Sequence, residues 1–326
     1  MTLYIIKRIG LSLMILVGIL TVTFFIIRIA PGDPVTIFEA PGMDSNVREL
    51  IRHSYGLDQP IHIQYFKWLY SLLIKGNLGF SLVQNKPVSE ILIEAVPNTI
   101  VLMGAGLLLN LILGISAGIA SAARRYSKLD NAIAIAGLTF YSLPIFWFSL
   151  MLILVFCYLL PILPPSHMRS VDADSLGMLD RFLDLLKHLI LPAVCIGLTS
   201  AATTARFTRA GLIEILEEDF IRTARAKGVS ERSILSKHSL RNVLLPIVTL
   251  FGLYFPFLIS GSLIVEVIFS WPGMGRITYN AILGRDYPLV IGATFAASVM
   301  VIAGNLIADT LYALVDPRVR FGDVKK

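Results

Sequence analysis

Charge is scarce in this chain. Only 15% of its 326 residues are Asp, Glu, Lys or Arg, against roughly 25% in a soluble domain. That shortage excludes a disordered protein and an ordinary cytosolic enzyme. Cysteine is nearly absent: Cys157 and Cys195 both lie in apolar runs, which supports neither a disulfide framework nor a zinc site. No G-x-x-x-x-G-K-[ST] occurs, so there is no P-loop with which to hold ATP. H-E-x-x-H is missing too, and the five histidines are scattered. What the chain has in abundance is apolar surface: 56% of residues are hydrophobic and the mean hydropathy is +0.75.

That surface is concentrated. A helix needs roughly 20 apolar residues to cross the hydrocarbon core. Six runs free of Asp, Glu, Lys and Arg meet or approach that length: Ile9–Ile27, Pro97–Ala123, Asn131–Met168, His188–Ala205, Asn242–Val265 and Tyr287–Ala308. The third is too long for one span; its helix is expected to end near Leu160, because Pro161 to Pro165 reads PILPP and cannot continue a helix. The fourth is expected to extend past Arg206. The reading is an all-α integral membrane protein with six transmembrane helices and both termini on one side. The first run, at 19 residues, exceeds a signal-peptide core and has no small-residue cleavage site after it, so it reads as an uncleaved span.

The net charge of +6 would suit a polyanion ligand, but its placement speaks for topology. With the N-terminus cytoplasmic, the inside segments 1–8, 124–130, 206–241 and 316–326 carry 17 of the 28 Lys and Arg. The outside segments 28–96, 169–187 and 266–286 have net charges of −1, −1 and 0. This is the positive-inside pattern, and no nucleic-acid partner is expected. The expected organisation is residues 1–27 as terminus and first span, and 28–96 as an extracytoplasmic subdomain. Residues 97–315 form a five-helix core carrying the cytoplasmic loop 206–241, and 316–326 a cytoplasmic tail.

Two loops stand out. Segment 28–96 is far longer than a hairpin connection needs; it holds an amphipathic stretch, Ile61–Ile74, and turn signals at Pro31-Gly32-Asp33-Pro34 and Pro41-Gly42. Short helices lying on the outer surface are expected there. In segment 206–241, Glu217, Glu218 and Asp219 precede Arg222, Arg225 and Lys227, and Gly228 follows. Acids at the start and bases at the end complement a helix dipole, with Asp219 as N-cap and Gly228 as stop. Ser230 caps a second short helix, Glu231–Lys237. Two capped helices with a glycine break, projecting from the cytoplasmic face, are the build of a docking element.

Two features invite enzymatic or ion-coupled readings. Gly114-Ile-Ser116-Ala-Gly118 matches the nucleophile elbow G-x-S-x-G, which would make Ser116 the nucleophile of an intramembrane hydrolase. It lies in a helical membrane run without plausible His or Asp partners, and Gly114, Gly118 and Ala122 instead share one helix face, the small-xxx-small spacing that brings membrane helices close. Asp309, one residue past the sixth apolar run, is the one charge that falls inside a span and in none of the loop or terminal segments. It serves either an ion relay, as in a secondary transporter, or an ion pair with Arg206 or Arg209. Asn110, Thr199, Ser200, Thr203 and Thr204 add polarity for a wet path or for interhelical hydrogen bonds.

A set of short motifs then gives the chain a family likeness. They are Arg28-Ile-Ala-Pro-Gly-Asp-Pro34, Tyr55-Gly-Leu-Asp-Gln-Pro60, Leu78-Gly-Phe-Ser81, Val96-Pro-Asn-Thr99, Tyr141-Ser-Leu-Pro144, Trp271-Pro-Gly-Met-Gly275, Arg285-Asp-Tyr-Pro288 and Asp316-Pro-Arg318. In this order and on this topology, the chain resembles the first membrane subunit of the peptide and nickel branch of ABC-type importers, over essentially its whole length. The loop after the fourth span resembles the cytoplasmic E-A-A-x3-G-x9-I-x-L-P signature of importer permeases. Aligned on Gly228, only Ala224 and Leu240 match, as in the variant form of the peptide branch.

The resemblance implies a type I ABC importer permease fold with an extracytoplasmic insertion after the first helix, in a bacterial cytoplasmic (inner) membrane. It implies a homologous second permease subunit, two ATPase subunits carrying ATP and Mg, and an extracytoplasmic peptide-binding protein, with no cofactor and no catalytic residue on this chain. The loop, through Asp219, Arg222, Ala224, Arg225, Gly228 and Glu231, would dock on an ATPase. Di- or oligopeptides are the expected cargo, with nickel or a metal chelate as the alternative.

Overall fold

The computed structural model describes residues 2–29, 58–81, 83–239 and 262–315. The expected fifth span falls mostly on residues 240–261, which lie outside the described residues, as do residues 30–57 of the long outer segment and the tail from 316. In chain order the elements are α1 (Thr2–Ile29), α2 (Ile61–Lys75), the strands β1 (Phe80–Ser81) and β2 (Lys86–Pro87), and α3 (Val88–Ala123). Then come α4 (Lys128–Ser142), α5 (Ile145–Ile153, continued by a π-helical turn Leu154–Leu159), α6 (Met178–Leu216), α7 (Asp219–Ala226) and α8 (Glu231–Ser233, continued by a π-helical turn Ile234–Ser239). The last three are α9 (Leu263–Ile268), α10 (Met274–Leu283) and α11 (Tyr287–Val315).

Among the described residues four helices, α1, α3, α6 and α11, are long and apolar enough to cross a membrane, and α4 with α5 adds a fifth if the two form one span. The helices outrun the apolar runs because a helix continues into the polar interface. α6 is 39 residues long, roughly 58 Å at 1.5 Å per residue, against a hydrocarbon core of about 30 Å. It starts ten residues before the apolar run His188–Ala205 and ends eleven after it. Likewise α3 begins at Val88 rather than Pro97.

The third run is not one straight span. α4 and the helix from Ile145 to Leu159 meet at 100°. Pro144 lacks an N–H and excludes the helical conformation from the residue before it; Leu143 sits accordingly in extended backbone at φ −71°, ψ 129°. The helix restarts at Ile145 and stops after Leu159, where the PILPP stretch begins.

The chain divides into two compact units. The first comprises Met1–Pro97 with Arg276–Met300. Within it α1 buries Leu16, Leu20 and Phe24, one residue per turn on a single face. Phe24 stacks on Trp68 of α2 at 5.3 Å, and Thr21 and Tyr65 share a hydroxyl hydrogen bond of 2.7 Å. The expected amphipathic stretch is thus one helix, and it leaves Phe66, Tyr70 and Ile74 exposed as an apolar stripe. The antiparallel β1–β2 ribbon follows, with Phe80 opposite Pro87.

The second unit comprises Asn98–Gly275 with Val301–Lys326. Its core gathers Leu102, Phe148, Leu152, Leu191, Cys195, Val265, Phe269 and Trp271. Side chains from α3, α5, α6, α9 and the turn after it meet in that core.

Candidate functional site

The loop between α6 and α8 has the expected helices and glycine break but neither of the expected side-chain caps. α7 starts at Asp219, so Glu218 takes the N-cap place in extended backbone and no side chain caps the helix. Asp219 is the first helical residue, bonded to Arg222 at 3.2 Å; a carboxylate there still complements the dipole. At the other end Gly228 has φ +78°, its N–H donates to the Arg225 carbonyl at 2.9 Å, and the Val229 N–H donates to that of Ala224 at 3.2 Å. This paired closure is a Schellman motif, which selects glycine at the left-handed position. Ser230 stands at the N-cap of α8 without a side-chain cap hydrogen bond, and the helix expected over Glu231–Lys237 is α-helical only to Ser233 before it widens into the π-helical turn. Arg225 Nε donates to Glu231 at 2.7 Å across the break, and that carboxylate holds the guanidinium above its usual range. Ile221 and Ile234 are fully buried, so the loop is anchored inward while Asp219 and Arg222 stay in solvent.

Behind this loop lies a cluster that the sequence did not announce. Asp130, in the first turn of α4, receives four donors. Arg209 of α6 gives Nε and Nη2, each at 2.8 Å, the Tyr126 N–H approaches at 2.9 Å, and the Ser121 hydroxyl of α3 adds the fourth. The Ser127 hydroxyl in turn caps α4 by accepting from the Asp130 N–H at 3.2 Å. Eight residues along from Arg209, Glu217 accepts from Arg125 at 2.9 Å. Arg209, considered above as a partner for Asp309, is therefore engaged by Asp130; Asp309 falls on α11, and its side chain lies outside the described residues. Arg206 lines a cavity of about 560 Å³ beside the cluster, with Asn131, Gly137 and Tyr141 on the α4 side.

The Gly114–Ala122 face meets α6. A Cβ at Gly114 would fall 2.6 Å from Thr204 Cβ, and one at Gly118 2.5 Å from Thr208 Cβ. Gly197 of α6 approaches the Gly106 carbonyl in the same way, and Ala122 is buried against Leu212. The Thr204 hydroxyl donates to Asn110 Oδ1 at 2.8 Å across this seam. Ser116 donates to the Ile112 carbonyl of its own helix, a local bond that leaves the elbow motif no catalytic geometry.

Four of the short motifs pair up in space. Within the second unit, Asn98 donates to the Pro272 carbonyl at 3.0 Å and accepts at its own carbonyl from Trp271 Nε1 at 2.8 Å. Beside them Glu266, fully buried, accepts from the Thr99 hydroxyl at 3.0 Å and from the Gly275 N–H at 2.7 Å, while Thr99 accepts from the Met274 N–H at 2.7 Å. Within the first unit, buried Asp286 accepts from the Ser81 hydroxyl and, at 3.4 Å, from the Leu289 N–H at the start of α11. Two acids that the apolar-run count assigns to an outer loop are thus buried hydrogen-bond centres.

Long apolar helices around small-residue seams, with a charged helical loop between spans, place the chain among multi-span membrane proteins. Residues 91–321 match the family model described as "Binding-protein-dependent transport system inner membrane component", and residues 1–103 match its N-terminal companion. The chain belongs to this family, and is an inner-membrane permease component of a binding-protein-dependent transport system. It is 41% identical to the oligopeptide transport system permease protein AppB of Bacillus subtilis (strain 168) over 98% of this chain and 100% of that one. It is 37% identical to the di/tripeptide transport system permease protein DppB of Pseudomonas aeruginosa (strain UCBPP-PA14), over 97% and 98%. It is also 37% identical to the glutathione transport system permease protein GsiC of Escherichia coli (strain K12), over 98% and 99%. Among solved structures, the inward-facing MetNI methionine ABC transporter shares the fold, with TM-score 0.53 at 16% identity over 70% of this chain and 97% of that one.

Proposed function

We propose that this chain is one of two permease subunits of an ATP-driven importer of short peptides, and that α7 with the Gly228 turn is the element it docks on an ATPase subunit. The observation that carries the docking role is the loop itself: a charged helix closed by a Schellman turn, tied to α8 by Arg225 and Glu231, and anchored by Ile221. A loop built this rigidly transmits a push instead of absorbing it. Peptide cargo follows the three relatives, all named for peptides, and takes precedence over nickel. The remaining assembly is a homologous second permease, two ATPases holding ATP and Mg, and an extracytoplasmic binding protein received by the 28–96 segment. Six spans with both termini cytoplasmic, the fifth in the Asn242–Val265 run, follow the charge asymmetry of the loops.

Mild-detergent purification of the tagged chain tests the assembly. A second permease and P-loop ATPases are expected to co-elute; recovery of the chain alone, competent for uptake in ATP-free liposomes under an ion gradient, overturns the reading and puts Asp309 at the centre. For the docking element, Arg225→Glu sets two carboxylates against each other at Glu231. Gly228→Trp forces a bulky side chain onto a left-handed residue, a conformation costing roughly 1–2 kcal/mol for an L-residue. Both variants are expected to lose most peptide uptake while remaining in the membrane. Normal uptake with normal ATPase co-purification in both would remove α7 from the mechanism.

A further inference from the structure

Two ion pairs join the turn between α3 and α4 to the corner between α6 and α7, and their polarity alternates. In the first the base is on the turn, Arg125 to Glu217 at 2.9 Å. In the second the base is on α6, Arg209 to Asp130 at 2.8 Å. A slide of α6 that brought Arg209 to Arg125, or Glu217 to Asp130, would set like charges face to face, so the pairing fixes register as well as contact. The second rung is forked, and the planar guanidinium locks angle as well as distance. Asp130 also takes the Ser121 hydroxyl of α3 and the N–H of Tyr126, which sits in left-handed backbone at φ 64°. The shape of the turn and the placement of three helices therefore depend on one carboxylate. From Glu217 a single residue leads into α7.

We propose that Asp130 and Arg209 are positioning residues that fuse the α3–α4 turn to the α6–α7 corner, so that a displacement of α7 moves the ends of α3, α4 and α6 as one body. The proposal rests on the reading of α7 as the docking element. Without the fork, α7 would still bind an ATPase but would move α6 alone, and ATP hydrolysis would be spent without opening the path.

The test uses the assembled importer in lipid nanodiscs and proteoliposomes, with peptide uptake and ATP hydrolysis measured together. Asp130→Asn and Arg209→Gln are each expected to retain the ATPase subunits and to lower peptide imported per ATP hydrolysed on the order of tenfold, a coupling of ordinary size. The double variant should lose no more than either single one, because the two side chains act as a unit. An unchanged ratio in the single variants, or losses that multiply in the double, overturns the proposal. Should Asp130→Asn not assemble, Arg209→Lys, which retains the charge and loses the fork, is read the same way. Amide hydrogen exchange on the purified chain separates this proposal from the importer reading, since it needs no partner. Arg209→Gln should raise exchange in residues 124–130 and 217–228 together. A rise confined to one segment removes the fused body even if the importer stands. A joint rise in a chain that binds no ATPase leaves the fused body and removes the importer.

Discussion

Replacing Gly118 with leucine is expected to abolish accumulation of the folded protein in the membrane. Any Cβ at this position stands 2.5 Å from Thr208 Cβ and 2.7 Å from the Ala205 carbonyl oxygen, where non-bonded carbons prefer about 3.5–4.0 Å. α3 and α6 must separate before even alanine fits. In water, apolar surface would resist that separation. In lipid it does not, because the tails are as apolar as the helices, and association rests on close packing and interhelical hydrogen bonds. Separation also stretches the Thr204–Asn110 bond, four residues back along α6. Overpacking of this kind costs about 1–3 kcal/mol for small additions and more for large ones. Gly114→Leu should behave alike, its Cβ meeting the Ala201 carbonyl oxygen at 2.9 Å. Adding Thr208→Gly to Gly118→Ala removes one of the two clashes and should restore part of the yield. Fluorescence-detected size exclusion of a tagged chain reads these outcomes directly, and a normal monodisperse peak for Gly118→Leu would disprove the seam.

The second large effect concerns Glu266. Truncation to alanine leaves the Gly275 N–H without its 2.7 Å acceptor and the Thr99 hydroxyl without its 3.0 Å one. Unmet buried donors cost about 1–3 kcal/mol each, so Glu266→Ala is expected to lower the melting temperature of the purified protein by many degrees. Glu266→Gln retains the shape: with its amide oxygen on the Gly275 N–H, its Nε2 can donate to the Thr99 hydroxyl oxygen, which reverses that bond without removing it, and a melting temperature between those of wild type and Glu266→Ala should result. Gly273→Ala approaches the same knot from outside, with its Cβ 2.5 Å from both Glu266 Oε2 and Thr99 Oγ1, and should resemble Glu266→Ala. A thermal-shift series that ranks wild type, Gln and Ala alike would show that Glu266 does not hold this turn.

The spans were legible from sequence because length and apolarity are summed properties: α1, α3, α6 and α11 each cover the run that announces them. Their ends were not, since charged residues such as Asp180, Lys187 and Glu214 continue a helix once it leaves the hydrocarbon. The 100° break was written in Leu143-Pro144, yet an unbroken apolar run conceals it. The α7 loop was legible because its charge order and its glycine stop are local signals, and the one-residue shift at Asp219 is of the size that fraying helix ends allow; the expected side-chain caps at Asp219 and Ser230 are absent. The polar centres were out of reach. Glu266 follows the fifth run by one position and counts there as a loop charge; its partner Thr99 is 167 residues away. Asp130 and Arg209, 79 residues apart, look like ordinary inside charges until α4 and α6 are seen side by side.

The Ser81–Asp286 contact has a consequence for how the chain is made. Its partners are separated by 205 residues, and at ~5–20 residues per second of synthesis the serine waits roughly 10 to 40 s for its carboxylate to leave the ribosome. Through that interval the β1–β2 ribbon has no Asp286 to hold it. This contact closes among the last, when the start of α11 arrives. A chain cut short before Asp286 would therefore insert its early helices and leave the ribbon unlatched, a state that the quality-control proteases of the membrane could tell from the finished subunit.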